Sequence, residues 1–277
     1  MLMTSLHRTG TPAPERGTRN ALATPDMTRS PCPHGVEFTR GGPFSLVHTT
    51  GANMNPIDRP DAAFVREPMR KGIGQVLYQS DATVLLCHRP GAFMLYSANT
   101  EEGLHALAPI RACTLLATND RDVALHAQAR FDLSSRGECY FVVYEKATPP
   151  VVPKRLDIRP PDDEAMRLIR SHYDLASDEE LAIVRQRGDL LCGYLAGTLA
   201  GFIGRHQEGS LGMLYVFPRF RRLGLAAELE TQAIARCLAQ GDLPYADIFT
   251  DNAASLALQR KLGFTVREDM RSYWVHN

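Results

Sequence analysis

From Gly74 onward the chain changes from an irregular polar sequence to short apolar runs separated by turn residues. Residues 75–80 and 83–89 read as strands joined at Asp81-Ala82, and Pro90-Gly91 turns the chain into a third strand over 93–98. Asn99 or Thr100 can cap a helix over 101–110, because a short polar side chain accepts from the free N–H groups of a first turn. A strand over 114–117, a helix over 120–131 and a strand over 138–146 complete a β-β-β-α-β-α-β series, the order of a small α+β unit.

A second series follows. Residues 155–159 read as a strand. Helices are expected over 162–173 and 177–186, where Met166, Leu168 and Ile169, then Leu181, Ile183 and Val184, recur at helical spacing. Ser177 and Glu180 have the spacing of a capping box. Residues 190–195 and 198–205 form a hairpin pattern around Ala196-Gly197, and a strand over 211–216 stops before Pro218. The helix over 225–240 carries Leu225, Leu229, Ala233 and Cys237 on one face. A strand over 245–250, a helix over 253–262 and two strands through Val275 close the series. The two halves share a rough order of hairpin, strand, helix, strand, helix, strand.

Pro149, Pro150 and Pro153 make residues 147–154 an extended linker, since each proline keeps its predecessor out of the helical region. Residues 1–60 hold 8 of the 18 prolines and few large apolar side chains, so they are expected to stay disordered. Their start carries Arg8, Arg16 and Arg19 against Glu15, which fits either a transit peptide or an extension without function ahead of Met54. The expected organisation is an extension (1–60), an α+β unit (61–146), a linker (147–154) and a second α+β unit (155–277).

The sharpest chemical signal lies in the turn between the strand over 211–216 and the helix that follows. Arg221, Gly224 and Ala226 fit R/Q-x-x-G-x-G/A, with Arg219 and Arg222 adding charge. The first N–H groups of a helix have no internal partner, and the helix dipole favours an anion there. Gly224 lets a ligand approach the backbone, and Ala226 is small at the same surface. A diphosphate is the expected guest. Twenty-eight residues after Gly224 comes Asn252, with Ser255, Leu258, Gly263 and Phe264 at the spacing N-x-x-S-x-x-L-x-x-x-x-G-F.

With these two motifs in register, residues 155–277 resemble the GNAT acyltransferase superfamily, and most closely its branch of glycine N-acyltransferase-like bacterial proteins. The resemblance implies a mixed α+β sheet flanked by helices, preceded by a degenerate GNAT-like unit over 61–146 that lacks the Arg/Gly motif. It implies acetyl-CoA as co-substrate. Arg221, Arg222, Leu223, Gly224, Leu225, Ala226 and Ala227 would hold the diphosphate. Leu214, Tyr215 and Val216 would pair with the pantetheine arm on a strand splayed from its neighbour, and Asn252 and Ser255 would complete the site. One position departs from the pattern: Gln259 stands where many members carry a tyrosine that protonates the departing thiolate, and glutamine cannot act as an acid.

Acyl transfer to an amine needs a base for the amine proton. His206, Glu208 and Ser210 alternate, so on an extended chain they would share a face just before the strand over 211–216. The resemblance places a glutamate at about Ser210, and Glu208 and His206 are the candidate bases; a solvated hairpin tip is the alternative. Tyr194, Tyr215 and Tyr273 are candidate phenols or ordinary packing residues, and Trp274 is core or pocket lining.

Charge and composition narrow the rest. Lys+Arg and Asp+Glu both number 31, so neither a dedicated nucleic-acid protein nor an anionic-membrane protein is expected. The longest uncharged run, residues 190–204, is short and glycine-broken, so no membrane span is expected. The six cysteines have no metal-site spacing, and reduced buried thiols in a cytoplasmic protein are expected, with no metal. The resulting expectation is an N-acyltransferase acting on a small amine or amino acid by direct transfer in a ternary complex. The rivals are a non-catalytic CoA-binding sensor or scaffold, which Gln259 favours, and a nucleotide-binding module, which lacks a GxGxxG or GxxxxGK run.

Overall fold

A computed structural model describes residues 56–174 and 176–277, all within one unit. Of residues 1–60, expected to be disordered, 1–55 lie outside the described residues. Residues 56–58 and 60–62 form short 3₁₀ turns that lead into α1 (Ala63–Arg70). The strand and helix patterns from Gly74 onward did not announce α1, yet Ala62, Ala63, Phe64 and Val65 are buried against the first sheet.

The first series is β1 (Gln75–Gln79), β2 (Thr83–Arg89), β3 (Ala92–Ser97), α2 (Thr100–Leu107), β4 (Leu115–Thr118), α3 (Arg121–Phe131) and β5 (Ser134–Val143). Asn99 caps α2 by accepting from the Glu102 N–H, and Asp120 caps α3 by accepting from Asp122 and Val123. The second series is β6 (Asp157–Arg159), α4 (Asp163–His172), α5 (Asp178–Gln186), β7 (Leu190–Leu195), β8 (Thr198–Arg205), β9 (Leu211–Val216), α6 (Leu225–Ala239), β10 (Tyr245–Phe249), α7 (Ala253–Leu262) and β11 (Thr265–His276). From β7 onward it repeats the β-β-β-α-β-α-β order of β1 to β5. The fold is α+β, a mixed sheet flanked by helices.

The strands sort into a seven-stranded sheet, β1-β2-β3-β4-β11-β5-β10, and a four-stranded sheet, β6-β7-β8-β9. Each series lends its last strand to the other. β11 pairs antiparallel with β4 (Tyr273 opposite Thr118) and with β5, while β10 pairs antiparallel with β5 (Asp247 opposite Phe141). Instead of the two expected terminal strands there is one of 12 residues. It shifts register between Arg267 and Arg271, which face Phe141 and Tyr140, so Glu268, Asp269 and Met270 bulge out of the ladder.

The two series differ at one matched place. In the first, β3 and β4 form a parallel ladder, Ala92 opposite Leu115 through Leu95 opposite Thr118. In the second, the equivalent strands β9 and β10 are edges of different sheets and share no ladder, although they adjoin in one core cluster. Leu229, Ala233, Ile234 and Cys237 of α6 pack with Leu191 and Ile203 beneath that opening. β9 itself carries a bulge: Tyr215 faces Phe202 and Gly212 faces Gly204, so Met213 and Leu214 stand against Ile203 alone. Met213 takes a left-handed conformation there, φ 53°.

Candidate active site

The opening between β9 and β10 continues into a cavity of about 690 Å³, within the range of small-molecule sites. Its wall draws on both series. His88 and Met94 come from β2 and β3, and Glu180 from α5. His206, Glu208 and Ser210 come from the turn after β8, Leu214 from β9, Asp247 from β10, and Glu230 and Gln259 from α6 and α7.

The turn at 206–210 is not extended, which corrects the alternation argument. The His206 N–H donates to Ser210 O at 2.9 Å and the Gly209 N–H to His206 O at 2.9 Å. Gly209 closes the turn at φ 102°, a conformation side chains rarely adopt. The three side chains nevertheless reach the same cavity. Ser210 Oγ donates to Glu208 Oε1 at 2.5 Å, and the Tyr245 hydroxyl donates to the Glu208 carbonyl at 3.1 Å. His206 Nδ1 meets Glu180 Oε1 at 2.9 Å. Its ring lies over Gly212, where a Cβ would stand 2.5 Å from Nε2, so a larger residue there would displace the imidazole.

That pairing revises the role of Glu180. Ser177 does cap α5, accepting from the Glu180 N–H at 3.1 Å, but the Glu180 carboxylate turns into the cavity rather than completing a capping box. Burial works to raise Glu180; the His206 hydrogen bond and nearby positive charge outweigh it and hold the carboxyl low. Burial pulls the His88 imidazole below its ordinary value, against the opposing pull of Glu208.

Two further carboxyls line the cavity without having been singled out in the sequence. Asp247 is pushed up to about 6 by burial, although the Ser272 hydroxyl donates to its Oδ1 at 2.6 Å. Glu230 is 2% exposed and pushed up to about 7 by burial, against the Gln259 Nε2 bond to its Oε1 at 2.5 Å. Gln259, also 2% exposed, thus spends its amide on Glu230. Glu230 Oε2 and Gln259 Oε1 are buried with no protein partner, as is Trp274 Nε1. Trp274 both packs on the core and lines the cavity. None of Tyr194, Tyr215 and Tyr273 lines it: Tyr194 lies beneath Arg159, and Tyr215 stacks on Phe202.

The basic turn lies at the other end of the opening. Pro218–Phe220 is a 3₁₀ turn, and α6 begins at Leu225 with no side-chain cap. Gly224 precedes it at φ 80°, and Arg222 is itself left-handed at φ 62°. A Cβ on Gly224 would meet only Arg155 Nη2, at 3.9 Å, so its face is open. Leu225 and Ala227 point into the core, Ala226 is half-buried, and Arg221, Arg222 and Leu223 are exposed. Arg221 donates from Nε to Val216 O at 3.0 Å, which ties the turn to β9. Arg155 had escaped notice at the end of the linker. Glu228, buried in the first turn of α6, places it by accepting the Arg155 and Leu156 N–H groups at 2.8 and 2.9 Å. Asn252 caps α7 by accepting from the Ser255 N–H, and both line the cavity.

Residues 191–275 match the family described as FR47-like protein. No curated protein matches the chain. Among solved structures, a Drosophila protein superposes with a TM-score of 0.56 at 17% identity, covering 78% of this chain and 87% of that one. A GCN5-related N-acetyltransferase from Kribbella flavida superposes with a TM-score of 0.50 at 12% identity, covering 78% and 93%. At these identities the likeness is one of fold. The chain therefore has the fold of the GNAT superfamily and, over residues 191–275, is similar to FR47-like proteins.

Proposed function

We propose that this protein is an acyl-CoA-dependent N-acyltransferase, using acetyl-CoA and passing the acyl group directly to a small amine in a ternary complex. The observation that carries the reading is the unladdered gap between β9 and β10, which runs from an uncapped, arginine-flanked helix start to a cavity lined by acid–base side chains. CoA fits the donors present. The first N–H groups of α6, at Leu225, Ala226 and Ala227, can receive the diphosphate over the open face of Gly224. Arg221, Arg222 and Arg155 supply charge around Leu223 and Gly224. The free edge of β9 at Leu214, Tyr215 and Val216 can bond the pantetheine amides, and Asn252 and Ser255 face the same gap from α7. When bound, acyl-CoA supplies the activated thioester carbonyl. Backbone N–H groups freed by the bulge at Met213 and Leu214 would be the donors that steady charge on its carbonyl oxygen.

Glu208 is the base in this reading, and His206, paired with Glu180, is the alternative. Residues 61–146 act as a degenerate copy: their matched gap is closed by the β3–β4 ladder, and α2 starts with a side-chain cap and two glutamates instead of an open anion site. A protein whose five described cysteines are all buried suits the cytoplasm, and no helix of the described residues is long and apolar enough to cross a membrane.

Thiol release from acetyl-CoA across an amine panel tests the activity, and calorimetry with CoA against ATP tests the site. Glu208→Gln is expected to lower kcat by at least about tenfold at neutral pH, with acetyl-CoA affinity kept and partial rescue at higher pH. The same behaviour in His206→Gln, with Glu208→Gln mild, moves the role to His206. Gln259 supports a second reading, a CoA-binding sensor, because its amide is engaged by Glu230 and it has no proton to give. CoA binding without thiol release from any amine decides for that reading.

A further inference from the structure

We infer that the cavity takes a diamine-like acceptor, one carrying a second, non-reacting positive charge and no carboxylate, with Glu208, Asp247 and Glu230 as its anionic counterparts. This rests on the acyl-transfer reading for the reaction, but on the cavity alone for the charge of the guest.

The argument starts from how the rest of the molecule treats buried acids. Asp242 is met by Arg205 at 2.9 Å and also by Arg70 and Lys71, Glu67 by Arg70 at 3.0 Å, and Asp61 by Arg59 at 3.2 Å. Glu228 holds two backbone N–H groups. A buried carboxylate is costly unless it is paired in this way. The three cavity carboxyls break the pattern. No described Lys or Arg forms an ion pair with Glu208, Asp247 or Glu230; each receives a neutral donor on one oxygen, from Ser210, Ser272 and Gln259 respectively.

A separate observation points to a ligand. Glu230 Oε2 and Gln259 Oε1 are buried acceptors on the cavity wall with no donor from the protein. With Glu230 ionised against a cationic guest, both atoms are acceptors and call for N–H donors from that guest. The raised carboxyls of Asp247 and Glu230 agree with this, because a carboxyl awaiting its cation is harder to ionise.

The same wall disfavours an amino-acid acceptor. The cavity's arginine, Arg89, is exposed at the rim, burial holds His88 toward its neutral form, and His206 is engaged by Glu180. A substrate carboxylate would therefore lie among carboxyls without a deep basic partner. A diamine meets both demands: its reacting nitrogen gives its proton to the base, and its other ammonium stays charged against the carboxyls.

The test is calorimetry on the full chain with CoA present, using 1,3-diaminopropane, 1,4-diaminobutane and 1,5-diaminopentane, each against the ω-amino acid of equal chain length. At least one diamine should bind about tenfold or more tightly than its amino-acid match, as expected when an ammonium–carboxylate contact is replaced by like charge. That diamine should also release thiol from acetyl-CoA. Glu230→Gln and Asp247→Asn, which keep volume and remove charge, should each weaken it severalfold while melting cooperatively. Equal affinities within every pair, preference for the amino acids, or unchanged diamine affinity in both variants overturns the inference. If CoA itself fails to bind, the acyl-transfer reading falls, and the diamine titration without CoA still decides the charge of the guest.

Discussion

Glu230 shows how much one side chain can report. Its carboxyl stands at about 7 in the folded chain against an ordinary 4.5, so the native state binds its proton more tightly than the unfolded state does. The stability this group adds is therefore complete below the unfolded value and is lost as pH rises through 7. The gap corresponds to about 3 kcal/mol. Denaturant unfolding of the wild type and of Glu230→Gln at pH 5 and pH 8 should differ in slope with pH: the variant loses less stability on going to pH 8. Asp247 acts in the same direction and remains in both, so parallel pH profiles would show that Glu230 is not held protonated. At the basic turn the useful substitution is Arg222→Gly. It removes a charge where an anion is expected, and it relieves a left-handed non-glycine residue, a conformation costing on the order of 1–2 kcal/mol. CoA affinity should fall by about tenfold, the size of a charge-assisted contact, while the melting temperature holds or rises. Gly224→Ala should do the reverse to stability. Its Cβ has room, but at φ 80° alanine is strained, so the melting temperature drops.

At the scale of elements, the contrast between the β3–β4 ladder and the β9–β10 gap is the feature to measure. Amides of β3 and β4 should be protected from hydrogen exchange with or without ligand, whereas those on the open edge of β9 should exchange fast alone and slow down with CoA. Unchanged exchange along β9 with CoA bound would remove it from the site. Much of this level was legible in the chain. Alternation and turn residues located β2, β7, β8, β9 and α7, and Asn99 and Ser177 marked helix starts that carry those caps. Partners were not legible, because alternation says which face of a strand is apolar and not which strand lies beside it. The site divided along the same line. The spacing from Arg221 to Ala226 is local and could be read. Glu230 and Gln259 are 29 residues apart, and only the packing of α6 on α7 joins them. Glu180 was hidden because its position satisfied a capping pattern, and Arg155 because it follows a proline-rich run. His206 and Glu208 line one cavity, but not because the chain is extended, since Gly209 turns it where alternation assumed it straight.

For the whole molecule, the exchange of final strands means that the two series do not have separate sheets. β11 lies between β4 and β5, and β10 forms the far edge beyond β5. Residues 56–150 or 151–277 expressed alone should therefore lack a cooperative thermal transition, and the full chain should melt in one step by calorimetry and circular dichroism alike. Two resolved transitions would mean that the halves hold together independently of the shared sheet. The arrangement also sets the order in which the protein can be made. When β5 leaves the ribosome, the strand that must fill the space between it and β4 has not been translated: 133 residues separate Val143 from His276. At synthesis rates of roughly 5–20 residues per second, the first series waits on the order of ten seconds for β11, starting with one edge of β4 and both edges of β5 unsatisfied. Its final closure thus waits for β11, and the interval before β11 emerges is when this protein is most in need of a chaperone.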